Sequence, residues 1–93
     1  MKTTEELRKE YEELLQRPEW QSRRGQIMKR DLMRCRICGS PVLLQVHHRQ
    51  YHRVGGNGEF RKPWDYQDRY LITLCESCHK RGHQQYRIPV FNL

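Results

Sequence analysis

Nowhere in this chain do apolar residues run for the roughly 18 positions that a membrane span requires. The stretch from Lys2 to Gln16 is dominated by glutamate and has no apolar segment, which argues against a signal peptide. Apolar residues are scarce throughout, at 35% of 93 positions. A chain of this length forms one domain and buries only roughly 60–65% of its extended surface, so a partner or a staple must add to the core. Repeats, low-complexity tracts and linkers are absent, which makes 1–93 a single unit. Negative charge is scarcest of all beyond residue 20. Residues 21–93 hold five acidic side chains against fourteen basic ones, while residues 1–20 hold six acidic and four basic. The chain therefore carries +7, divided as −2 on the first part and +9 on the rest. An acidic, solvated helix is set against a body whose field attracts phosphates. These absences disfavour a membrane protein and a secreted disulfide scaffold, leaving a basic, metal-stapled protein with a cytoplasmic location as the expectation.

Thr3 followed by Glu6 is a capping-box pattern, and Leu7, Tyr11, Leu14 and Leu15 recur at helical spacing behind it. Pro18 ends that helix near Arg17 and suits the first turn of another. The second helix is expected from Pro18 to about Leu32, with Trp20, Ile27 and Met28 facing inward. Together these form a helical lead-in over 1–33. Val42 to Val46 reads as a short strand, with His47-His48 at its end, and Leu71 to Leu74 reads as another. Gly55-Gly56-Asn57-Gly58 signals a turn, and His52 is expected as a polar residue of the loop. A last helix is expected from Glu76 to about Tyr86, which closes a 35–86 core. The 87–93 tail has an apolar end that packs back on the body or meets a partner.

Cys35-Arg36-Ile37-Cys38 and Cys75-Glu76-Ser77-Cys78 are two C-x-x-C pairs. Each offers two thiolates from one tight turn, and two such turns complete the tetrahedron that zinc prefers. A structural Zn2+ held by Cys35, Cys38, Cys75 and Cys78 also supplies the missing staple. Two disulfides are the alternative, disfavoured by compartment, and a thioredoxin-like pair lacks its usual surroundings.

Structural zinc leaves the histidines unexplained. His79 and His83 stand at i and i+4, so a helix places both on one face, where they can share an ion. His47 at a strand end can add a third ligand and leave positions open, as catalytic metal sites require. Successive strand residues point to opposite sides. One of His47 and His48 can therefore bind the ion and the other serve as a general base.

The runs Leu44-Gln45-Val46-His47-His48 and Leu71-Ile72-Thr73-Leu74-Cys75-Glu76-Ser77-Cys78-His79, followed by His83, resemble the HNH endonuclease motif in its zinc-ribbon form. Arg17-Pro18-Glu19-Trp20 and Lys29-Arg30-Asp31 are similar to the helical lead-in of small phage and bacterial members, so the resemblance spans roughly residues 14 to 83. It implies an α+β architecture: a ββα-metal fold with N-terminal helices, braced by the four-cysteine zinc. It assigns His47, His79 and His83 to a catalytic divalent ion and His48 to the general base. The motif's asparagine falls on Tyr70, a departure, with Asn57 as an alternative in a glycine-rich setting. The implied activity is metal-dependent hydrolysis of DNA phosphodiesters, nicking or weakly specific, leaving 5′-phosphate and 3′-hydroxyl ends. Three imidazoles suit Zn, Ni, Co or Mn by ligand preference without excluding Mg.

DNA is then the expected partner, held through its phosphates. Arg49, Lys80 and Arg81 adjoin the proposed centre, and Arg23, Arg24, Lys29 and Arg30 would widen the track. Two other readings use the same residues: a non-catalytic zinc-ribbon adaptor for nucleic acid, and a phage interaction module docking a packaging or replication protein.

Overall fold

Thr3 opens helix α1 (Thr4–Leu14) as the capping box requires: its hydroxyl oxygen accepts from the Glu6 N–H at 3.1 Å. The helix carries no fully buried residue. It touches the body through Tyr11, whose ring meets Tyr51 and Phe60 edge-on, and through Leu15 just beyond its end. Helix α2 (Pro18–Arg30) has proline in its first turn and buries Trp20, Ile27 and Met28, the three residues expected inward. It stops two residues short of Leu32 because Leu32 and Met33 adopt φ of 59° and 54°, left-handed values that no α-helix continues through. The computed structural model describes residues 2–54, 56 and 58–93. Gly55 and Asn57, and with them the expected turn and the alternative motif residue, lie outside the described residues.

Strand β1 (Leu44–His48) pairs antiparallel with β3 (Leu71–Cys75), His47 opposite Ile72 and His48 opposite Leu71. The first strand begins two residues later than Val42 because Leu43, at φ 54°, turns the chain before it. A single 3-10 turn (Asp68–Tyr70) leads into β3, and helix α3 (Glu76–Gln85) follows β3 without a connecting loop. Cys75 serves both elements: it ends the strand in extended conformation, and its sulfur caps the helix by accepting from the Cys78 N–H. Strand β2 (Tyr51–Arg53) pairs in parallel with β4 (Val90–Asn92). The tail thus packs back on the body as a strand, one of the two outcomes the sequence left open. His52, expected in a loop, is a buried strand residue.

Two apolar clusters fill the interior. Trp20, Ile27 and Met28 of α2 meet Val46, Leu71 and Tyr66 in one; Leu74 packs among Cys35, Cys75 and Cys78 in the other. Between them lies a buried carboxylate. Asp31, 3% exposed, accepts from the Thr73 N–H at 2.9 Å and twice from the Arg30 guanidinium at 2.9 Å. Burial opposes its ionisation, but the Arg30 and Thr73 hydrogen bonds prevail and hold its carboxyl below the usual range. It ties the end of α2 to the middle of β3 and so positions the cysteine turn that follows. The architecture is α+β, with three helices and two small sheets among the described residues. No helix among those residues is long and apolar enough to cross a membrane.

Candidate metal centres

The first cysteine turn is built by its backbone. Gly39, at φ 79°, donates to the Cys35 carbonyl at 2.9 Å, and the Cys35 N–H donates to Ser40 at 2.8 Å. Arg36 N–H to the Thr73 carbonyl and Glu76 N–H to the Leu43 carbonyl, both 3.0 Å, fasten this turn to the β3–α3 junction. The four sulfurs of Cys35, Cys38, Cys75 and Cys78 consequently lie within 4.8 Å of one another, with Cys38 and Cys75 at 3.5 Å. Zn–S bonds of about 2.3 Å put tetrahedral sulfurs roughly 3.8 Å apart, so the cluster fits a zinc ion.

The thiols' acidities are split. Burial opposes ionisation of Cys35, but the N–H groups of Cys38 and Ile37 point at its sulfur and draw it down to about 6. Cys78 is pushed up to about 12, first by its hydrogen bond to Cys75 and then by burial. Four thiolates cannot coexist here without a cation among them.

The second cluster takes two residues from the same helix, His79 and His83 of α3. Ring nitrogens of His47, His79 and His83 also lie within 4.8 Å of one another, and the Nε2 atoms of His79 and His83 are 3.0 Å apart. Neutral imidazole is the ligating form. Burial, followed by the nearby His79 and His83, lowers His47 to about 4; burial and His83 also lower His79. The donor set fits one borderline divalent ion with open positions.

His48 diverges from His47 as strand geometry requires. It is 4% exposed, stacked between Trp20 at 5.0 Å and Tyr51 at 5.3 Å, with Tyr66 edge-on. Its Nε2 lies 2.9 Å from the Pro63 carbonyl. A carbonyl can only accept, so Nε2 carries the proton and Nδ1 is the basic nitrogen. Burial lowers its pKa against the opposing pull of the Pro63 contact, which keeps the ring neutral. His48 and the three-histidine cluster line one cavity of about 220 Å3, together with Tyr11, Tyr51 and Arg24.

Tyr70, expected at the asparagine position of the motif, turns its side chain to groups other than His48. Its ring lies edge-on to His52 and its hydroxyl accepts from Arg69 at 2.7 Å, while Pro63 holds His48. The arginines divide in a way their sequence positions did not show. Arg23 donates to the Tyr66 carbonyl and to Asp68, and Arg30 to Asp31 and to the Asp68 and Leu71 carbonyls, so both brace the fold. Arg24 donates to the Leu44 carbonyl from the cavity wall. Lys80 pairs with Glu76 at 3.6 Å, and Lys29 is exposed on α2. Arg49 and Arg81 line a groove beside His47.

Tyr11, Tyr51 and the Pro63 carbonyl were absent from the expected site. Tyr11 was legible as part of an apolar stripe, but a backbone carbonyl leaves no residue-type signal.

His52 offers a pH test. It is 8% exposed and its pKa is lowered from 6.5, by burial first and then by Arg61. A base with a depressed folded pKa adds stability that is complete above its unfolded value and is lost as pH falls through the folded one. The melting temperature is therefore expected to drop as pH falls below about 6.5, and to drop less steeply in His52→Gln. Parallel pH profiles for the two proteins would contradict this.

Compared with family models, curated proteins and solved structures, the chain finds no match.

Proposed function

We propose that this protein is a metal-dependent DNA endonuclease of the HNH, ββα-metal type. One observation carries the reading: three imidazoles converge on a cavity that also receives a fourth, neutral imidazole whose tautomer is set by a carbonyl. A structural zinc needs only the cysteines, and a closed structural site has no use for an adjacent base. A divalent ion held by His47, His79 and His83 would supply charge stabilisation at the scissile phosphate. His48 takes a proton from the attacking water at Nδ1, while the water oxygen bonds phosphorus and the P–O3′ bond breaks. That leaves a 5′-phosphate and, once the departing O3′ has taken a proton from solvent water, a 3′-hydroxyl. Arg24, on the same cavity wall, would meet a phosphate oxygen. Pro63 holds His48, so the base does not need the motif's asparagine.

A second reading has its own support. Leu32, Met33, Val42 and Leu43 are 53–78% exposed near the cysteine turns. Such apolar exposure suits a non-catalytic zinc-ribbon module that docks a protein partner, for example one in phage packaging or replication. Supercoiled plasmid separates the two. The nuclease reading expects conversion to open-circle or linear forms with at least one of Mg2+, Mn2+, Ni2+, Co2+ or Zn2+. No conversion with any of them would give the adaptor reading the field.

A further inference from the structure

The three-histidine centre borders a second opening that the hydrolysis described above does not use. His47 lines both the cavity it shares with His48 and a separate groove of about 550 Å3, within the roughly 300–1,000 Å3 of ligand clefts. Three guanidinium groups line this groove: Arg49 after β1, Arg81 on α3 and Arg87 before β4. Among the described residues none of the three side chains has a hydrogen-bond or ion-pair partner, and no acidic residue lines the groove. The rest of the lining is of a different kind. Ile72 of β3 and Ile37 of the first cysteine turn give it an apolar wall, and Tyr86, 72% exposed, stands at the end of α3.

Unpaired cations around a groove without acidic groups select a polyanion. A duplex presents that polyanion with its base faces hidden in its own stack, so it would gain from the arginines and leave the tyrosine and isoleucines unused. An unpaired strand offers phosphates and free base faces together, and an electropositive groove with an aromatic platform is how proteins bind such strands. We propose that this groove holds a single-stranded stretch of nucleic acid, its phosphates on Arg49, Arg81 and Arg87 and a base against Tyr86. The strand would then run past His47, and the centre would act on unpaired rather than duplex substrate. The last step rests on the nuclease reading; the binding does not.

The test is fluorescence anisotropy with the zinc-loaded full chain, without a second added metal. The probes are an unstructured oligothymidine, an oligouridine and a hairpin duplex with equal numbers of phosphates. Tighter binding of a single strand than of the hairpin is expected, and the first two probes tell DNA from RNA. Tyr86→Ala should weaken single-strand binding about tenfold while leaving the hairpin within about twofold, and Tyr86→Phe should retain it. Arg87→Ala should reduce the dependence of log K on log salt by about 0.7. Equal or tighter binding of the hairpin, or no effect of Tyr86→Ala, overturns the proposal. Cutting is scored separately, on a single-stranded DNA circle as well as on plasmid with the same metal series: single-strand preference without cutting of either removes the nuclease reading and keeps the groove, and cutting without that preference does the reverse.

Discussion

Replacing Cys38 with serine is expected to abolish cooperative thermal melting. The loss exceeds what one side chain's packing could cause. Zinc-finger peptides draw an apparent ~10–16 kcal/mol from their ion, whereas a domain's whole stability is about 5–15 kcal/mol. Leu74 packs on the sulfur cluster, with Leu44 and Ile72 beside it, and the contact of Cys38 with Cys75 joins the turn after α2 to the β3–α3 junction. Serine keeps the shape and withdraws the thiolate, so the variant tests the metal and not the volume. A strong chelator should reproduce the result in the unaltered protein, and added zinc should reverse it. Melting unchanged in both experiments would mean that the four cysteines hold no structural ion.

The second large effect concerns chemistry. His48→Gln should lower plasmid cutting by about 10²–10⁴-fold, the range that general-base catalysis contributes. Glutamine can still donate an N–H to the Pro63 carbonyl and fill the space beside Trp20, but it has no basic nitrogen. Zinc content, melting temperature and oligonucleotide affinity are therefore expected to stay close to those of the unaltered protein. That separation matters, because His48 is buried among Trp20, Tyr51 and Tyr66 and a smaller residue would also leave a hole. Undiminished cutting by His48→Gln would remove the residue from the mechanism.

The parts of the molecule that depend on local spacing could be read from the sequence. The two C-x-x-C turns, the i,i+4 pair His79 and His83, and the inward faces of α2 all follow from periodicity, and the structure brings each together. The parts that depend on distant backbone could not. Pro63 holds His48 through its carbonyl, a group that every residue possesses. Strand β4 exists because β2 offers it an edge, and nothing in Val90–Asn92 announces that partner. Arg23 and Arg30 look like surface cations because a sequence does not show that Asp31, Asp68 and three carbonyls face them. The backbone of Tyr70 likewise shows nothing in its residue type: its carbonyl accepts the N–H of Arg49, just after β1, at 2.7 Å.

Helix α3 carries Cys78 and, one residue later, His79, with His83 a turn beyond. One rigid rod therefore contributes to both clusters, and ions bound at the two would not be independent. Filling the sulfur cluster fixes the rotation and position of the helix, which removes ordering entropy that the imidazoles would otherwise lose on binding their own ion. Linkage makes that gain reciprocal: whatever factor the first ion adds to the affinity of the second, the second returns to the first. An ion at the histidines would thus act as a lock on a zinc at the cysteines, and scarcity of one metal would be felt as looser retention of the other.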